Sequence, residues 1–565
     1  MNMKTNIRIL FTAFTASIAL GTTAQTLDEA KRLTENEQYE AASAIYSQLL
    51  SKEPSNTAYY YYFSENLLLA ENPDSAKLVL EKGKTIDPSA GLIKIGLAKE
   101  LLNRINAREA RIASEKDPGD SEMKRRATEA EQHVASATTL INEAIAAAPA
   151  KSATVYIEAA DALIRYKNKN FEQAETYLKK AKTIEPKNKE IDLLYGDIYT
   201  ELNNGSLAAE YYNAAGANDR TSPRAVVSKG RLYKRSTNYE GAAAEFEIAI
   251  SLDANYAPAH RELGETYFKM GKLDKAKEEY RKYLELSRNN CNARIRYASF
   301  LYLSKEYTAA ISEMEQVLQR CDPKNPQPLR IMSISYYETK DFKKGIECIQ
   351  KVFALLPEDR LISKDFEYYG KLQLATEQDS LGIDNLKRAY ASEPSRVELL
   401  SDLSAAYLKQ KKYAEVIRVL NEKLATGKDF KSLDYFNMGK AYFYESMFNE
   451  ADRSFAKLNE LSPRFASGFY WRGRTQSFID STYELGSANA YYDKFVELAT
   501  VDSATVLKNT SLLSDVYKYY AIYYNNIAKD KEKTLFYLRK RSELQIDPEE
   551  RKAILNDIKG LETAK

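Results

Sequence analysis

The sequence predicts an all-α fold, a solenoid of about fourteen repeated helix pairs with a C-terminal capping helix. The first reason is a 34-residue period: Gly196, Gly230 and Gly264 fall at that spacing and Ala298 continues the register. The second is that the same neighbours recur around each. Tyr199, Tyr233 and Tyr267 stand three positions on, Ala208, Ala242 and Ala276 twelve on, and Tyr212, Phe246 and Tyr280 sixteen on. The third is length. A chain of 565 residues is too long for one compact core, and a repeat that cannot bury its face without the next one spreads that length along an array.

Taken in order, the chain opens with Lys4 and Arg8, a mainly apolar stretch from Ile9 to Leu20, and small residues at Thr22, Thr23 and Ala24. This pattern predicts a cleaved signal peptide over 1–24 and export, to the periplasm first and the cell exterior second. No Cys lies near the cut to carry a lipid, and no later segment reads as a membrane span. Lys and Arg number 82 against 80 Asp and Glu. That balance excludes the global field that draws proteins to nucleic acid or anionic membrane, so charge recognition falls to local patches.

Residues 25–95 carry two repeats, marked by Ala30, Ala42, Tyr46 and Pro54 and then by Ser64, Ala76, Leu80 and Pro88. The third, 96–150, is irregular. It begins near Gly96, but its second half returns only around Ala137 to Pro149, and about thirty charged residues intervene with a turn signal at Asp117-Pro118-Gly119-Asp120. They read as two charged helices in a hairpin, either solvating extensions of the repeat or a docking arm. The central array spans 151–500. Its best copies are 257–290, with Leu263, Gly264, Tyr267, Ala276 and Tyr280, and 432–465, with Gly439, Tyr442, Phe448, Ala451, Phe455 and Pro463. Residues 501–565 hold the last repeat and a polar cap from Pro548 to Thr563.

These motifs resemble the tetratricopeptide repeat family, over nearly all of the chain after the signal peptide, and more narrowly its exported envelope members of Bacteroidetes type. The resemblance implies a right-handed superhelical solenoid of helix pairs. Small residues at positions 8 and 20 of each repeat let the two helices approach, and large ones at 11 and 24 fill the space beside them. Four triplets, beginning at Asp74, Asp379, Asp480 and Asp502, resemble the O-glycosylation acceptor of Bacteroidetes-type bacteria, but read first as helix N-caps. Cys291 opens one first helix and Cys321 follows its partner, which puts them in reach of a disulfide; two buried thiols are the alternative. Cys348 reads as a core thiol.

Material for catalysis is scarce. His133 and His260 are the only histidines and stand far apart in a one-dimensional array. No phosphate loop, CxxC pair, HExxH helix or nucleophile elbow is present. The expectation is a non-enzyme without metal or cofactor. In the family the first helices line a concave groove through positions 2, 5, 9, 12 and 13, which implies two contact stretches here. One is basic: Arg224, Arg231, Lys234, Arg235 and Arg261, suited to an acidic peptide. The other is aromatic: Phe436, Phe443, Tyr444, Tyr470 and Phe478, beside Trp471. The family's clamp for a C-terminal carboxylate is absent, since Arg261 is paired with Glu265 rather than Asn. The expected role is a scaffold or adaptor that binds a protein or peptide in a bacterial envelope assembly. The alternative is a periplasmic carbohydrate-binding helical-repeat protein, against which stands the single Trp.

Overall fold

The computed structural model describes residues 26–112, 120–149, 151–166, 169–287, 290–321 and 325–563. The expected signal peptide, 1–24, lies outside them. The described residues form thirty α-helices and one short 3₁₀ turn. Twenty-eight of the helices are consecutive antiparallel pairs, the fourteen repeats; the others are a short helix, Ser503–Lys508, and the C-terminal helix, Pro548–Thr563. The latter buries Ile554 and Ile558 against Ala521 and Leu538, so its polar remainder covers the end of the array. Two compact units divide the chain, the first ending at Ile331 and the second beginning at Met332.

Two local devices make each pair. The turn between its helices carries a residue in the left-handed region, among them Glu37, Glu71, Asn203, Thr237, Gly271, Lys305 and Lys411. The next amide returns to the helix just finished, as from Asn238 to the Tyr233 carbonyl at 3.0 Å and from Lys272 to that of Tyr267 at 2.9 Å, which satisfies orphan carbonyls. The second helix is then often started by Asn: Asn72, Asn170, Asn204 and Asn238 each accept from an amide of the first turn.

The small residue at position 8 makes room for an aromatic ring. A Cβ on Gly230 would fall 2.5 Å from the Phe246 ring, one on Gly196 2.3 Å from Tyr212, and one on Gly439 2.7 Å from Phe455. Where the position holds Ser or Ala, the residue sixteen on is smaller or more pliant: Ser64 with Leu80, Ala298 with Met314, Ser404 with Leu420, all fully buried or nearly so. Ala30 with Tyr46 departs from the rule.

The irregular third repeat is built from its own two helices lengthened, Gly91–Ile112 with 22 residues and Asp120–Ala146 with 27, against 13 and 14 in the pair that follows Tyr256. Most of the turn signal at 117–120 lies outside the described residues. Of the four Asp-Ser triplets, only Asp502 is an N-cap, accepting from the Thr505 amide at 2.7 Å. Asp74 and Asp379 sit inside first turns, and Asp480 ends a helix. Cys291 and Cys321 are joined by a disulfide with Cα atoms 6.0 Å apart, and Cys348 is buried.

Candidate functional site

The basic stretch lies in the first unit, and each of its members meets a carboxylate. Arg224 donates to Glu190 at 2.7 Å. Arg231 donates to Glu262 at 2.9 Å, and Lys234 to both Glu262 and Glu265. Arg235 reaches Glu201 at 3.1 Å, and Arg261 contacts Glu262 at 3.0 Å and Glu37 at 3.1 Å. The basic stretch is therefore paired within its own unit: position 6 of the repeat that holds Arg261 supplies Glu262, which faces inward among these cations. Burial alone would raise the Glu262 carboxyl, but Arg231, Arg261 and Lys234 outweigh it and hold it at about 2. The available signal was the change of sign between consecutive residues of one helix, Arg261-Glu262.

The partner of Arg261 comes from far away in sequence. Glu37 belongs to the turn between the first helices, Leu27–Glu35 and Tyr39–Lys52, and stands 224 residues from Arg261. The same turn reaches Tyr283 and Asn290.

A second charged cluster lies deeper in this unit. Lys99 is fully buried, and its ammonium lies 3.1 Å from Glu65, 2.8 Å from Glu158 and 2.7 Å from Asp161. It also donates to the Tyr61 hydroxyl, which donates to Glu158. The three acids bring oxygens within 4.8 Å of one another, a spacing suited to a cation, and the lysine already fills that role. Burial would lower its pKa, and the three carboxylates together raise it instead. His260 is likewise structural, buried between Glu279 at 2.6 Å and the Ala254 carbonyl at 3.1 Å.

The aromatic stretch belongs to the second unit and is a layered cluster. Phe443 and Tyr470 are 6% and 1% exposed, so they form its floor, which corrects their expected place at the surface. Trp471 packs with them, 5.4 Å from Phe443 between ring centres. Tyr444 and Phe478 are 45% and 49% exposed and form the upper layer. Tyr444 stacks on Tyr413 at 4.7 Å, and Phe478 lies 5.1 Å from Phe443 and 5.2 Å from Phe448. Phe436, half-buried, meets Phe465 at 5.4 Å.

Two cations that the sequence did not single out complete this face. Arg474 lies over the Phe443 and Trp471 rings at 5.5 and 5.4 Å. It also donates to Tyr470, whose hydroxyl donates to Asp515 at 2.9 Å. Lys440 lies 5.3 Å from the Trp471 ring centre and 5.5 Å from that of Phe436. It has no carboxylate within salt-bridge distance among the described residues, and burial lowers its pKa. Two of these ring contacts are local, Phe436 with Lys440 at i,i+4 and Trp471 with Arg474 at i,i+3 on one helix, and two run between repeats, Lys440 to Trp471 and Arg474 to Phe443.

The family description "Tetratricopeptide repeat" matches residues 257–290 and residues 165–228. These segments are tetratricopeptide repeats. Among curated proteins, the chain is 25% identical over 274 residues to the human Protein O-mannosyl-transferase TMTC3, covering 45% of this chain and 30% of that one. It is 30% identical over 144 residues to the Type IV pilus assembly protein PilF of Pseudomonas aeruginosa, covering 25% of this chain and 57% of the relative. It thus spans less than two thirds of either. Among solved structures, the C-terminal part of a TPR repeat-containing protein from Cytophaga hutchinsonii is 26% identical, with a TM-score of 0.40 over 46% of this chain and 99% of that one. Tetratricopeptide repeats are in general non-catalytic scaffolds that mediate protein interactions. No helix among the described residues is long and apolar enough to cross a membrane.

Proposed function

We propose that this chain is an exported, non-catalytic scaffold that binds a partner protein or peptide as part of a bacterial envelope assembly, with the periplasm as its compartment. The observation that supports it best is the layered aromatic face of the second unit. Exposed Tyr444 and Phe478 rest on a buried floor of Phe443, Trp471 and Tyr470, with Arg474 and Lys440 lying over the rings. Aromatics and arginine held rigidly over a packed base are the composition of interface hot spots, since little side-chain entropy is left to lose on binding. Lys440 lacks an acidic partner within the described residues, so the fitting segment carries an apolar anchor with a carboxylate beside it. Trp471 is only 8% exposed and offers no open stacking platform, which weighs against the carbohydrate reading.

The test is a photo-crosslinking amino acid at position 444, with position 461 on a second helix as control, in cells of the native source. One protein crosslinked from 444 and not from 461, and lost in Phe478→Ala, supports the scaffold reading. No adduct from 444 above the control, together with a retained ligand on a glycan array, overturns it in favour of the carbohydrate reading.

A further inference from the structure

We propose that the first unit contains a carboxylate-binding site occupied by the chain's own first turn, and that an acidic peptide takes this site when the turn leaves it. The site is independent of the aromatic face. Its present occupant is Glu37, at the tip of the turn between Leu27–Glu35 and Tyr39–Lys52, in the left-handed region at φ 57°. Arg261 donates to one carboxylate oxygen at 3.1 Å and the Tyr283 hydroxyl to the other at 2.5 Å. The Asn290 amide donates to the Glu37 backbone carbonyl at 2.9 Å. One side chain and one main-chain group are thus read together, which is how a groove holds a peptide rather than a free anion. Glu35 adds a looser pair with Arg224 at 3.8 Å.

The site has donors and space beyond what Glu37 uses. The Arg261 Nε is buried without a hydrogen-bond partner. A neighbouring cavity of about 400 Å³ is lined by Arg261, Arg296, Asn292 and Ser299 and also by two carboxylates, Glu71 and Glu265, the latter paired with Lys234. Arg296 is exposed there and has no carboxylate within salt-bridge distance among the described residues. A longer acidic segment would therefore find a second guanidinium and further side-chain donors where the turn of this chain stops. The covalently attached turn competes at high effective concentration, so the affinity for any external peptide is reduced by the fraction of molecules in which the turn is displaced.

The probe is a fluorescein-labelled hexapeptide of residues 34–39, Thr-Glu-Asn-Glu-Gln-Tyr, titrated by anisotropy against the full chain. Glu37→Ala is expected to bind it at least about tenfold more tightly than the wild type. Arg261→Met in that background should abolish the gain, and a peptide with Gln in place of its second Glu should not bind. Equal affinity for wild type and Glu37→Ala, or a gain that survives Arg261→Met, would overturn the proposal. Should Glu37→Ala fail to fold, hydrogen exchange of the wild-type chain with excess peptide decides instead. Faster exchange confined to residues 27–52 supports displacement of the turn, and unchanged exchange there refutes it.

Discussion

At the scale of single residues, buried charge is what the structure stakes most on. Lys99 meets three carboxylates at full burial and shares two of them, Glu65 and Asp161, with Arg165, and removing one partner of such a cluster leaves uncompensated charge in the interior. Lys99→Met should destabilise the first unit by about 3–5 kcal/mol at neutral pH. Urea titration at pH 7 reads the loss, and a midpoint unchanged from the wild type refutes the assignment. Glu262 carries a pH dependence. Its carboxyl is held at about 2, below the ordinary 4.5, so its contribution is complete above pH 4.5 and drains away as pH falls toward 2. The amount is on the order of 3 kcal/mol. Glu262→Gln should lower neutral stability and flatten the acid limb of amide protection over residues 223–286, and an unchanged limb would count against this assignment.

Among helices, the determinant is the fit between position 8 and the ring sixteen residues on. Gly230→Ala places a methyl 2.5 Å from Phe246, whereas Gly264→Ala places one 3.1 Å from Tyr280. The first should cost about 1–3 kcal/mol and the second less. Adding Phe246→Leu to Gly230→Ala should recover part of the loss, because that pair reproduces Ser64 with Leu80 and Ser404 with Leu420. A double-mutant cycle with no coupling would show the pairing to be incidental. This level was the most legible in the sequence. The contact between the small residue and the ring of a helix pair spans sixteen positions, so a 34-residue period of Gly, Tyr, Ala and aromatic residues exposes it directly. The lengthened third repeat was legible as an interruption of that period. Its form, two long helices in place of an added pair, depended on whether helical propensity ran unbroken through the charged residues, as it does through Ile112 and from Asp120.

For the whole molecule, legibility falls because position in space accumulates over many repeats. The basic stretch looked open because its partners are not local. Glu37 meets Arg261 across 224 residues, a distance set by the summed rotation of the intervening pairs and marked by no motif. Phe443 was misplaced for a related reason, since Trp471 and Phe478 of the next repeat cover it, whereas Tyr470 is covered within its own pair by Tyr492 and Phe495. One long-range consequence remains legible through chemistry. The Cys291–Cys321 bridge closes a separation of 30 residues, and such a bridge stabilises by about 2–4 kcal/mol, chiefly by restricting the unfolded chain. Both cysteines belong to the first unit, so Cys321→Ser should weaken amide protection there and leave residues 342–563 unchanged. A bridge of this kind persists in an oxidising compartment and is kept reduced in a mesophilic cytosol, which ties its redox state to the proposed export. Trapping thiols with a mass-tagged maleimide, in protein denatured without reductant straight from cells, should therefore label one cysteine, Cys348. Labelling of all three would place the chain in a reducing compartment and remove export from the proposed function, while leaving the repeat fold untouched.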